Sequence, residues 1–309
     1  MISRLQQKFV FLFILILFPF FLVILLEEVN TIFNVTAQTE IVSCYSEQKP
    51  ISRINLFDAN LYKYKLVESQ GWELKDTLFE KSFKGSIELS AGVNIKMERV
   101  SNGPLLLEFE KPSGGLVAKI RSFERQADKP KEVQDLLFVE IVNIDSLINN
   151  NTSIVIPISG SIKLGSSLDI ESDNEHTLLL RDGHIAMTGV PKISNSHFAS
   201  GHEELYLGDR LVLEDKNSIG LATVNHEPSI HVSYRAYGKE ARIIKPGPKD
   251  FASGYKISAS IFSRFKYDKY YQTGSIIIAL VLSILTILDV YMSHFFDRTK
   301  KPNNEISSS

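Results

Sequence analysis

Apolar positions fall into three regimes along this chain: an unbroken run near the start, an alternating pattern through the middle, and a second unbroken run near the end. Residues 9–26, FVFLFILILFPFFLVILL, are eighteen consecutive apolar positions. At about 1.5 Å rise per residue they nearly cross a hydrocarbon core of roughly 30 Å, and Pro19 predicts a kink that lipid tolerates. Arg4 and Lys8 would also suit a signal peptide. However, the run is longer than a signal core, and Glu27 and Glu28 follow it directly. The nearest small-residue site, Val35-Thr36-Ala37, ends eleven residues beyond it, so an uncleaved anchor is expected.

The second run occupies 273–296 and contains GSIIIALVLSILTILDVYMSHFF. Tyr267, Tyr270 and Tyr271 precede it and Tyr291 marks its exit, the aromatic pattern of a membrane interface. Basic residues set the topology. Arg4 and Lys8 place residues 1–8 in the cytoplasm, which puts 27–272 on the far side of the membrane. Arg264, Lys266 and Lys269 nearly balance Arg298, Lys300 and Lys301, so the second run returns the chain because the first one left. Residues 297–309 then form a cytoplasmic tail. Within the second run Ser283, Thr286 and Asp289 recur every three residues as a drifting polar stripe. Such a stripe suits a helix–helix contact or an ion path, although Asp289 sits close enough to the helix end to reach water or Arg298.

Between the runs the pattern becomes that of strands. In 230–236, Ile230, Val232, Tyr234 and Ala236 alternate with His231, Ser233 and Arg235, and 257–261 repeats the rhythm with Ile257, Ala259 and Ile261. Period-two alternation means one buried and one solvated face, as in antiparallel sheets. Asn102-Gly103, Pro112-Ser113-Gly114-Gly115 and Asp182-Gly183 divide the strand-like runs and predict hairpin turns. Residues 29–83 are mixed, and Asp58 reads as the cap of a short helix over 57–67. GSIELSAGVNI at 85–95 echoes GSIKLGSSLDI at 160–170, which suggests two related units over 84–150 and 158–200.

Charge and cysteine content narrow the classes. The net charge is -2, and 27–272 hold 29 Lys/Arg against 33 Asp/Glu, so no basic field favours nucleic acid. The single cysteine, Cys44, excludes a disulfide framework, and a large disulfide-free domain outside the cytoplasm fits a bacterial periplasm.

Motifs for chemistry are sparse. The nearest approach to a metal cluster is HFASGHEE, with His197, His202 and Glu203 as weak candidate ligands, but five-residue spacing across Ala-Ser-Gly reads as a solvated loop. No Gly-x-Ser-x-Gly elbow or phosphate cradle is present, and no catalytic or cofactor-binding residue is assigned. The aromatic and basic stretch FSRFKYDKYYQ at 262–272 reads as interfacial anchoring.

The expected fold is membrane-anchored all-β, or β-rich α+β with the 57–67 helix. It is an antiparallel β-sandwich or partly closed barrel between two terminal transmembrane helices. The expected function is a non-enzymatic, two-pass protein of a bacterial inner membrane whose periplasmic domain binds or scaffolds another envelope component. Its partners are the lipid bilayer and either an envelope protein or a second copy of itself. No cofactor is expected. The alternatives are an oligomeric two-helix channel or signal transducer, and a periplasmic hydrolase assembled in space.

Overall fold

Alternation in the sequence becomes alternation in burial. In Val93–Glu98 the side chains of Val93, Ile95 and Met97 are buried while Asn94, Lys96 and Glu98 face outward. The same holds for Leu105, Leu107 and Phe109 on the next strand. The computed structural model describes residues 28–46, 53–67, 71–73, 78–124, 129–142, 144, 153–166, 178–192, 197–215, 218–246 and 254–299. The 9–26 run lies outside these residues, as does the end of the chain from 300.

Among the described residues two sheets form, and every strand pairing in them whose register is resolved is antiparallel. The smaller has the order β11 (Ile154–Ser159), β16 (Ile219–Val224), β17 (Ile230–Gly238), β1 (Val29–Thr39), β13 (Leu180–Pro191) and β14 (Phe198–Leu205). The larger begins with β19 (Gly254–Ile257), β18 (Ala241–Ile244), β15 (Arg210–Leu213), β12 (Ser161–Leu164), β2 (Ile41–Ser46) and β6 (Val93–Glu98). It continues through β7 (Leu105–Glu110), β10 (Leu136–Ile141), β3 (Ile54–Val67), β5 (Leu78–Leu89), β8 (Leu116–Ser122) and β9 (Lys131–Gln134). A short strand, β4 (Gly71–Glu73), pairs with β3. Two helices follow the strands, α1 (Ile261–Tyr267) and α2 (Lys269–Thr299).

One apolar core joins the inner faces of both sheets, with Phe33, Val35, Val232 and Ile156 from the smaller and Leu61, Met97, Leu107, Phe109 and Val139 from the larger. The β region is therefore sandwich-like. Its layers are stitched by the chain itself. β1 passes into β2 through the single residue Glu40, and β11 passes into β12 through Gly160, whose φ of 86° supplies the bend. Within the larger sheet, Asp135, at φ 65°, is likewise the single residue between β9 and β10.

Two compact units emerge from the contacts within the chain: Asn30–Thr188 with Ser200–Ala259, and Met1–Val29 with Gly189–Ala199 and Ser260–Ser309. The first contains the whole core.

Four sequence expectations change, the first being the 257–261 strand: only Ile257 lies in β19, and Ile261 opens α1. The 57–67 segment is not a helix but part of β3, and Asp58 adopts φ 60° beside a register shift against β5. The left-handed tolerance of aspartate is used here for a bulge and not a cap. Asn102-Gly103 does turn β6 into β7, with Gly103 N–H donating to Val100 O at 2.8 Å. Pro112–Gly115 also turns, but β7 and β8 are not neighbours, so it is no hairpin. Asp182-Gly183 does not turn at all and lies inside β13. Of the two echoing stretches, Gly85–Leu89 closes β5 and Ser161–Leu164 forms β12, both in the larger sheet.

Gly183 is required by close packing. A Cβ there would lie 2.7 Å from Thr36 O and 2.8 Å from Ala37 Cβ on the neighbouring β1. Gly183→Ala is expected to destabilise the protein by about 1–3 kcal/mol, read as a lowered denaturation midpoint, because backbone on both sides must move.

Candidate binding surfaces

The register of the larger sheet sets one continuous row of outward positions across nine strands: Lys256, Arg242, Val212, Lys163, Ser43, Lys96, Glu108, Phe138 and Tyr62. Cations occupy one half of this row. The other half passes into carboxylates and rings, with Glu98, Glu110 and Glu140 beside it. Tyr62 donates its hydroxyl to Glu140 at 2.9 Å and meets the Phe138 ring edge-on at 6.0 Å.

Where the halves meet, β12, β2, β6 and β7 carry a groove of about 300 Å³ lined by Ser43, Tyr45, Asn94, Lys96, Glu108, Glu110, Ser161 and Lys163. Lys96 pairs with Glu98 at 2.6 Å. Partial burial holds the Glu108 carboxyl above its ordinary value; Lys96 across the strand opposes this and Glu110 and Glu98 add to it. The groove thus offers donors and acceptors of both signs, which suits a polar or zwitterionic ligand. Cys44 at its base is buried, and desolvation pushes its thiol up to about 12, against the pull of a hydrogen bond from Ser159.

The weak metal candidates lie on or next to β14. His202 and Glu203 are adjacent in β14 after Gly201, at φ 114°, and strand neighbours point to opposite faces. Glu203 is engaged by the Tyr255 hydroxyl, which burial and that carboxylate hold above its ordinary value while Lys245 opposes them. His197 is exposed. Among the described residues no group of three His, Cys, Asp or Glu side chains stands ready for a metal.

Beside Glu203 is a corner that sequence reading missed. The Asp209 side chain is 1% exposed, accepts from Tyr206 N–H at 2.9 Å and pairs with Lys245 at 2.8 Å. Lys245 Nζ lies 5.1 Å from the Tyr206 ring and 5.8 Å from that of Tyr255, leaving Tyr206 and Leu207 exposed at the tip. The signal available was Tyr-Leu-Gly-Asp, a turn motif, but its ion partner comes from residue 245.

A buried polar knot sits at the Glu40 corner. Glu40 accepts from Leu179 N–H at 3.1 Å and from Arg181 Nη2 at 2.7 Å. Its carbonyl accepts from Arg99 N–H at 2.9 Å. The Arg99 side chain then reaches into the β16–β17 hairpin, where Nη1 donates to the carbonyls of Asn225, Glu227 and Ser229 at 3.1, 2.8 and 2.9 Å. This arginine is 1% exposed and serves the fold.

The helical region has a different character. α2 is 31 residues long, about 46 Å at the usual rise, and exposes Ile276, Ile277, Leu280, Leu282, Ile284, Ile287, Leu288, Val290 and Tyr291. Ser283 Oγ donates to Ala279 O and Thr286 Oγ1 to Leu282 O, each at 2.8 Å, so the stripe's two hydroxyls are satisfied within their own helix. The side chains of Asp289, Tyr270 and Tyr271 lie outside the described residues, while Tyr267 and Tyr291 are exposed. Among the described residues no helix is long and apolar enough to cross a membrane. No protein-family model and no characterised protein sequence matches the chain.

Proposed function

We propose that this is a non-enzymatic, two-pass protein of a bacterial inner membrane, and that its periplasmic β-sandwich binds another envelope component. The observation that carries the reading is the outward apolar surface of α2, on which Ile287 is 67% exposed and Val290 63%. Large apolar side chains around a helix are stable only in lipid or against a partner. The 273–296 sequence supplies the length, the 9–26 run a second anchor, and Tyr267, Tyr270, Tyr271 and Tyr291 the interfacial residues. The groove around Lys96 and Glu108 is the surface offered to the partner, an envelope protein or a second copy of the chain. Mixed charge of this kind selects partners more than it adds affinity.

Topology is tested with Ser113→Cys, at an exposed turn of the β domain. The native Cys44 is buried and leaves a silent background. A membrane-impermeant maleimide is expected to label Ser113→Cys on intact spheroplasts. Labelling only after lysis would place the β domain in the cytoplasm and end the proposal.

A further inference from the structure

Helix α1 is set apart from α2 by a designed break. Ser260 caps it by accepting from Phe262 N–H at 3.1 Å. Asp268 ends it in an extended conformation, φ -83° and ψ 109°, with its N–H on Arg264 O, and its own carbonyl then accepts the Gln272 N–H at 3.0 Å in α2. The Gln272 side-chain amide also donates back to Lys266 O across the break. The elbow is therefore specified by hydrogen bonds on both sides.

The two faces of α1 differ sharply. One carries Arg264 and Asp268, an ion pair at 3.3 Å with side chains 3% and 1% exposed. At about 100° per residue, Phe262 and Lys266 share the opposite face. Phe262 is 85% exposed, an unusual state for a phenylalanine, and Tyr267, on a different side of the helix, is 48% exposed with Lys266 Nζ 5.0 Å from its ring. Lys266 lies on the Phe262 face, Lys269 opens α2 just past the break, and the exposed apolar side chains of α2 begin at Ile276.

We infer that α1 lies in the headgroup layer of the bilayer, with Phe262 among the upper lipid chains and Lys266 and Lys269 on anionic phospholipid phosphates. The inference rests on the membrane reading of α2. Amphipathic side chains place ring and stem in the apolar zone and charge in the polar one, and this face has that composition. The opposite face keeps its charges paired and away from lipid, so inserting Phe262 brings no bare ion with it. The Asp268 break supplies the change of direction that a helix needs to pass from the interface into the core.

The test uses the full-length chain in phosphatidylglycerol–phosphatidylethanolamine vesicles, with Trp72, its only tryptophan, replaced by Phe. Phe262→Trp reports on α1 and Leu282→Trp on α2. Lipids brominated near the headgroup end of their chains are expected to quench Trp at 262 strongly, and lipids brominated deep in the chain to quench it weakly. The depth order reverses for Trp at 282. Adding Lys266→Glu and Lys269→Glu is expected to reduce quenching at 262 and leave 282 unchanged. Quenching at 282 with none at 262 overturns the interfacial placement and leaves the anchor standing. Absence of quenching at both positions overturns the anchor as well.

Discussion

Replacing Arg99 with Met is expected to lower the stability of the β domain by about 3–5 kcal/mol, since the buried Ser229 carbonyl left without a donor costs about 1–3 kcal/mol and the part-buried carbonyls of Asn225 and Glu227 about 1 kcal/mol each. Three carbonyls of one hairpin, those of Asn225, Glu227 and Ser229, converge on a single nitrogen of this side chain. In a domain of this size the loss reads as a fall in melting temperature of about 6–20 °C, measured on the detergent-solubilised chain. Arg99→Lys is expected to recover part of it, because an ammonium can donate to three acceptors but reaches less far. If Arg99→Met melts with the wild type, the hairpin draws its stability from elsewhere.

Under the proposed topology, placing two arginines on the apolar surface of α2, as Leu282→Arg with Leu285→Arg, is expected to keep that helix out of the bilayer. Each arginine at a helix centre opposes insertion by about 2.5–3.5 kcal/mol, and together they approach the whole favourable transfer of a single span. In that topology the 9–26 run would still hold the chain, so extraction from the membrane is the wrong readout. A reporter cysteine in the tail, Ser307→Cys, answers the question. On intact spheroplasts an impermeant maleimide should leave it unlabelled with native α2 and label it in the double-arginine chain. Equal labelling of both would mean that α2 does not cross.

The strands that a reader can find in this sequence are those whose neighbours leave one face in solvent. Residues 230–236 alternate strictly because Ile230, Val232, Tyr234 and Ala236 enter the core and the residues between them do not. Val93–Glu98, the Asn102-Gly103 turn and Leu105–Glu110 are visible for the same reason and are joined by local geometry. What stays hidden depends on distant partners. Gly183 carries a turn signature, yet it is glycine because Thr36 and Ala37 on β1 leave no room for a side chain. Asp58 carries a cap signature, yet the pairing of β3 with β5 makes it a bulge.

The candidate surfaces divide in the same way. The aromatic and basic stretch at 262–272 is plain in the sequence, and the structure adds the break at Asp268 and the bare Phe262 ring. The groove was not legible. Its lining is drawn from residues 43, 96, 108 and 163, which only the register brings side by side.

The single-residue corners at Glu40 and Gly160 have a mechanical consequence. Because one thread of backbone belongs to both layers at two places, neither layer can peel from the other without dragging its strand out of the opposite ladder. Amide protons of β1 and β2, and likewise of β11 and β12, should therefore exchange with deuterium at matched rates. Force or a partner acting on one layer is felt at once in its companion.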